Sequence, residues 1–198
     1  MVAAALAVEY ADELVDGTKG AALPLIRGDL HLTYGQIGLL IAVPLLAGSL
    51  LELPLGLVAG TGRRRNRLVI AGGVVFIASL AAVAVVRSFW PLLLAFVAFF
   101  PASGAFVGLT QAALMDSAPA RHQQRMAAWN LAGSVGAVCG PLIFAALLAA
   151  GAGWRAAYPL LAAFGAAALL PRLDFSAQST IPGGDHSNVL GGYYASGY

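Results

Sequence analysis

Residues 56–67 read GLVAGTGRRRNR, a turn framed by Gly56 and Gly62, loaded with Arg63, Arg64, Arg65 and Arg67, and set between two long apolar stretches. Such a run cannot sit in hydrocarbon, so it predicts a tight loop at a membrane surface. The cytoplasmic surface is the expected one, because short cytoplasmic loops collect Lys and Arg. Outward from this loop the chain divides into segments long enough to cross a bilayer, each needing about 20 mostly apolar residues. Five are clear: Gly35–Val58, Leu68–Val86, Trp90–Leu114, Met126–Ala150 and Ala156–Leu170. A sixth, Val2–Ile26, has the length but carries Glu9, Asp12, Glu13, Asp16 and Lys19. Helix is the expected state throughout, since backbone groups in lipid must bond within their own segment. Pro44, Pro54, Gly104, Gly136 and Pro141 inside the spans are compatible with this, because neighbouring helices satisfy freed backbone groups.

The chain is 60% hydrophobic and only 10% charged, with a mean hydropathy of +0.82. A soluble domain could not bury that much apolar surface. The expected fold is therefore all-α: a polytopic membrane protein with six transmembrane helices over residues 1–173. Net charge is +2, and the arginines form short punctuating clusters, so no basic face remains for nucleic acid. Cys139 is the single cysteine and lies in an apolar run, which excludes an intramolecular disulfide and reads as packing. Met1 runs into VAAALAV without a basic region, so the first span is expected to act as its own insertion signal.

Orientation follows from the arginines. Arg63, Arg64, Arg65 and Arg67 lie in the second loop, Arg121 and Arg125 in the fourth, and Arg172 after the sixth span. Arg27, Arg87 and Arg155 fall in the odd loops. The imbalance places both termini in the cytoplasm, in an up-down bundle of the inner (plasma) membrane. Residues 174–198, DFSAQSTIPGGDHSNVLGGYYASGY, are polar, rich in Gly and Ser, and without periodicity. They predict a disordered cytoplasmic tail.

The chemistry concentrates in the first span. At 100° per residue, Glu9, Asp12, Glu13 and Asp16 project within about 100° of one another, one acidic stripe that Lys19 partly neutralises. An unpaired acid at the bilayer centre costs roughly 2.5–3.5 kcal/mol even on the lenient insertion scale, so several together must face a protein interior or a watery cavity. Acids sharing such a cavity repel one another, which suits proton uptake. Glu52, in AGSLLELPLG, is a lone acid between leucines and should face the bundle, with the stripe or Asn130 as partner. There it either joins in transport or holds the second helix against a neighbour by a hydrogen bond. Gly133, Gly136 and Gly140 just before Pro141 make a flat glycine face with a proline distortion, suited to close packing. Asp116, Arg121 and Arg125 form a solvated loop able to engage the first arginine cluster, and Arg155 with Trp154 anchors the start of the sixth span. His31, His122 and His186 are isolated, so no metal site is expected, and no cofactor motif is present.

Several of these stretches resemble the major facilitator superfamily. Gly56, Ala59, Gly62, Arg63, Arg64 and Arg65 fit loosely its loop pattern Gly-x-Leu-Ala-Asp-Arg-x-Gly-Arg-Arg, with Gly60 and Thr61 standing where the acidic and following basic residues are usual. GSVGAVCGPL is similar to the Gly-x-x-x-Gly-Pro signature of its proton-linked antiporters. The opening helix looks like that of bacterial efflux members, where an acidic residue often takes part in proton coupling. The resemblance covers nearly all of residues 1–173, the N-terminal half of a usual transporter. It implies a permease effluxing a small organic molecule against protons, with Asp12, Glu13 and Asp16 of the opening helix as candidate coupling residues; Glu52 joins them by its place between leucines, and its depth in the repelling acidic stripe makes Asp16 the foremost. It also implies pairing with a second six-helix half or with another copy of the chain. The competing expectation is a truncated or non-transporting membrane assembly. An enzyme is not expected: H-E-x-x-H, G-x-S-x-G and G-x-x-x-x-G-K-[ST] are all absent.

Overall fold

The computed structural model describes residues 2–60 and 62–178, and among these there is no strand. Six long helices follow in order: α1 (Val2–Asp29), α2 (Tyr34–Ala59), α3 (Arg63–Val85), α4 (Phe89–Asp116), α5 (His122–Ala149) and α6 (Ala157–Gln178). The five spans from α2 to α6 are long and apolar enough to cross a membrane. α1 matches them in length at 28 residues, and only its charged side chains set it apart.

Local chemistry sets the ends. Thr33 caps α2 in a reciprocal box: its hydroxyl accepts from the Gln36 N–H at 3.2 Å, and the Gln36 side chain accepts from the Thr33 N–H at 2.9 Å. The turn into α3 uses Gly60 at φ 54° and Gly62 at φ 68°, left-handed backbone that favours glycine. That turn is shorter than the sequence suggests. α3 begins at Arg63 rather than Leu68, so the arginines occupy a helical first turn instead of a loop. Cations there oppose the helix dipole, and the partner of Arg65 described below offsets this.

The sixth helix also outruns its apolar stretch. It continues past Leu170 and Pro171 to Gln178, so the polar tail expected from residue 174 is helical at its start. Apolar length marks where a helix leaves hydrocarbon; its internal hydrogen bonds can continue into water. The remainder of that tail, residues 179–198, lies outside the described residues.

Helices adjacent in sequence are not, in general, those that pack. α2 and α3 barely touch, whereas α1 lies along α5 and α6, α2 along α4, and α3 along α4 and α6. Exchanging the first three helices with the last three maps these pairs onto one another. α1–α5 becomes α4–α2, α1–α6 becomes α4–α3, and α3–α6 maps onto itself. The six helices thus form two three-helix repeats, an arrangement known from transporter folds. α4 is the best-buried span at 56% of its apolar window, against 11% for α2, so α4 is central and α2 peripheral.

The α1–α5 seam is the most extensive contact, and glycine makes it possible. A Cβ on Gly136 would lie 2.5 Å from the Tyr10 carbonyl oxygen, and one on Gly17 would lie 2.5 Å from the Ala137 carbonyl oxygen and 2.9 Å from the Pro141 ring. The glycine face read from the sequence is thus a seam for α1. Elsewhere the interior is aromatic: Phe76 of α3 packs on Phe99 and Phe106 of α4, with centroids at 4.8 and 5.6 Å. At the opposite end from the arginine turn, Arg155 donates to Asp29 at 2.5 Å and to the Val86 carbonyl at 3.1 Å, and the Trp154 indole also reaches Asp29, at 3.3 Å. This clasp joins the ends of α1 and α3 to the start of α6, a larger role than interface anchoring. The hydrogen bond from Arg155 holds the Asp29 carboxyl below its usual range.

Candidate functional site

The acidic stripe of α1 is divided between two neighbours. Glu9 and Glu13, four residues apart, form one ridge of the helix, and Asp12 and Asp16 form the adjacent ridge. The first ridge faces α5. Glu9 is buried at 9% exposure; a Cβ on Gly133 would lie 2.7 Å from its Oε1, and the Trp129 indole lies beside it. Glu13 borders Gly133 and Gly136, whose added Cβ atoms would each lie 3.2 Å from its side chain. The glycines of α5 therefore serve two purposes: they bring the backbones together and make room for two carboxyls.

The second ridge faces α4. Asp12 accepts a hydrogen bond from Ser103 at 2.7 Å. Ser103 immediately precedes a π-helical turn, Gly104–Gly108, which interrupts α4 just after Pro101. The proline supplies no N–H to the helix, and π turns of this kind are frequent at functional sites. One turn along, Asp16 is exposed and paired with Lys19 at 2.5 Å. The Lys19 ammonium also stands 4.4 Å from the Phe100 ring centroid and 6.0 Å from that of Phe99, an arrangement favoured by the ring quadrupole.

Glu52 is not brought to this group. It is exposed on α2, and among the described residues neither the α1 acids nor Asn130 bonds to it. It instead lines a cleft between α2 and α4. The expectation that it fastens α2 by a hydrogen bond finds no partner there.

At the arginine turn, Arg65 pairs with Asp116 at 2.6 Å, joining the start of α3 to the end of α4. Arg125, in the first turn of α5, donates to the Leu114 carbonyl at 2.7 Å and to the Ser117 hydroxyl. The loop acid missing at Gly60 thus has a counterpart in Asp116, as the sequence anticipated for this loop. Asp116 is 61% exposed, so the pair contributes at most about 1 kcal/mol. Arg63, Arg64 and Gly56 are exposed.

Among the described residues no group of three or more His, Cys, Asp or Glu side chains could hold a metal ion. The arrangement instead offers carboxyls and one ammonium between helices that are apolar elsewhere, where proton and ion-pair exchange is the available chemistry. A model of the Major Facilitator Superfamily matches residues 14–184, most of the six helices. The chain belongs to that superfamily. It is accordingly a multi-pass membrane protein of a transport family. No curated protein matches it by sequence.

Three features of this superfamily member escaped the sequence. Ser103 as the partner of Asp12 had only a weak signal, Pro101-Ala-Ser103-Gly104 within an apolar run. The enclosure of Glu9 was signalled by Gly133, readable only once α5 is known to face α1. The stacking of Lys19 on Phe100 had no local signal.

Proposed function

We propose that this chain serves proton-coupled efflux of a small organic molecule, as a six-helix unit of a plasma-membrane permease with both termini cytoplasmic. The observation that carries the reading is the Asp12–Ser103 hydrogen bond, which ties an intramembrane acid of α1 to α4 at the residue just before its π-helical turn. An acid so placed changes the α1–α4 contact on gaining or losing a proton. As a carboxylate it accepts from Ser103 as a charged partner; once protonated it gains an O–H donor and keeps only a weaker, neutral acceptor, so the bond to Ser103 loosens. Glu9 and Glu13 extend the acidic path along α5, beside the Gly-Pro face that resembles that of proton-linked antiporters.

The same reading assigns the unit a partner, either a second copy or another six-helix half, enclosing a midplane cavity about which the two rock. Substrate selectivity would then arise from side chains of both units.

Everted membrane vesicles from cells expressing the chain test this directly. With a pH gradient reported by acridine orange quenching, some members of a panel of small apolar organic compounds should release the quench, and vesicles lacking the chain should not respond. Failure of every compound, with the chain present and folded, would remove the efflux reading. Orientation has a separate check. Single cysteines at Arg64 and Arg87, in a Cys139→Ser background, are expected to label from opposite sides of the membrane, Arg64 from the cytoplasm. Labelling of both from one side would overturn the topology.

A further inference from the structure

The cleft between α2 and α4 is the pseudo-symmetric counterpart of the tight α1–α5 seam, yet it stays open. α5 brings Gly133, Gly136 and Gly140 to its seam, whereas α2 brings only Gly48 against the Phe100 side chain; a Cβ there would lie 3.2 Å from that of Phe100. The space left has a volume of about 180 Å³ and is lined by Gly48, Ser49 and Glu52 of α2 with Phe100, Pro101 and Gly104 of α4. Drug-sized ligands occupy pockets of roughly 300–1,000 Å³, so this cleft suits a smaller body.

We propose that the α2–α4 cleft is a binding site for a small organic ammonium ion, with the Glu52 carboxylate as counter-ion and the Phe100 ring as its aromatic wall. Three observations converge on that chemistry. Glu52 has no ion-pair or hydrogen-bond partner among the described residues, and a carboxylate within a membrane helix calls for a cation. Phe100 already receives an ammonium, that of Lys19 at 4.4 Å from its centroid, so its ring is placed to interact with positive charge. Lys19 itself is engaged by Asp16 at 2.5 Å, which leaves the charge of Glu52 unmatched. The remaining walls are small or apolar except for the Ser49 hydroxyl, a combination that selects a charged head carrying a short alkyl or aryl arm. The proposal concerns binding and stands apart from the transport cycle.

Calorimetric titration of the full chain in phosphatidylglycerol nanodiscs, with benzylammonium and its neutral analogue benzyl alcohol, tests it. Benzylammonium should bind at least tenfold more tightly than benzyl alcohol. Glu52→Gln should remove that preference while leaving the thermal midpoint unchanged, and Glu52→Asp should retain much of it. Ser49→Met, which fills the cleft, should weaken both compounds. Equal affinity for the two compounds, absence of binding, or a preference that survives Glu52→Gln would each overturn the site. An aminophospholipid headgroup would bring the same ammonium chemistry. Competition when phosphatidylethanolamine is added to the discs assigns the site to lipid, and an unchanged affinity assigns it to a free amine; both uphold the ammonium site.

Discussion

Gly136→Val should leave little folded protein extractable from the membrane. The methyl groups would enter a space already occupied by backbone: the Tyr10 carbonyl oxygen lies 2.5 Å from where Cβ would sit, and the Leu14 nitrogen 3.1 Å. Backbone cannot swing aside as a flexible side chain would, so α1 and α5 would have to separate along their whole seam. Overpacking a well-filled interior by a methylene typically costs about 1–3 kcal/mol, and here two helices and two acids depend on a single spacing. Gly38 of α2 provides the contrast, since nothing lies within 4 Å of its Cβ position. Gly38→Ala should be neutral or stabilising by up to about 1 kcal/mol, because alanine is the better helix former. Thermal midpoints in detergent, read by size-exclusion fluorescence, check both. A Gly136→Val protein as stable as Gly38→Ala would mean that the seam is not held by close backbone contact.

The second large effect is expected at Asp12. Asp12→Asn should reduce pH-driven flux by at least a hundredfold while leaving energy-independent substrate exchange in place, because the amide keeps the size of the side chain and cannot carry the proton. Ser103→Ala should be milder. Losing a hydrogen bond to a charged group is worth about 1.5–3 kcal/mol, or roughly ten- to a hundredfold, and proton coupling itself would persist. Asp16 was the stronger candidate on sequence, being deeper in the first helix. The proposed function turns on Asp12 instead, because Asp16 is exposed and held by Lys19 whereas Asp12 bonds across to another helix. Asp16→Asn should therefore slow flux without uncoupling it. Full proton-driven flux in Asp12→Asn, together with its loss in Asp16→Asn, would return the assignment to Asp16.

Much of this protein was legible in its sequence, because the bilayer imposes a simple rule on a chain that crosses it. Apolar runs such as those of α2 and α4 must be helices there, and a cluster like Arg63–Arg67 must leave the hydrocarbon. Both requirements are local, so they give the number of spans and the position of the turns without reference to any other part of the chain. Even so, the ends shifted at Arg63 and Gln178, since helical hydrogen bonding does not stop where apolarity does. The acids of α1 and the glycines of α5 were likewise visible as features of single helices.

Their neighbours were not, for a physical reason. In lipid every face of an apolar helix is compatible with its surroundings, so hydropathy does not say which helix it will meet; close packing and polar contacts decide that. Only the tertiary structure placed Gly136 against Tyr10, divided one acidic stripe between α4 and α5, gave Asp12 to Ser103, and left Glu52 facing an open cleft. The sequence by itself determined which residues must be shielded from lipid. Which helix does the shielding was settled by steric fit, through glycines that admit α1 to α5 and through Gly48, which seats α2 on Phe100 of α4.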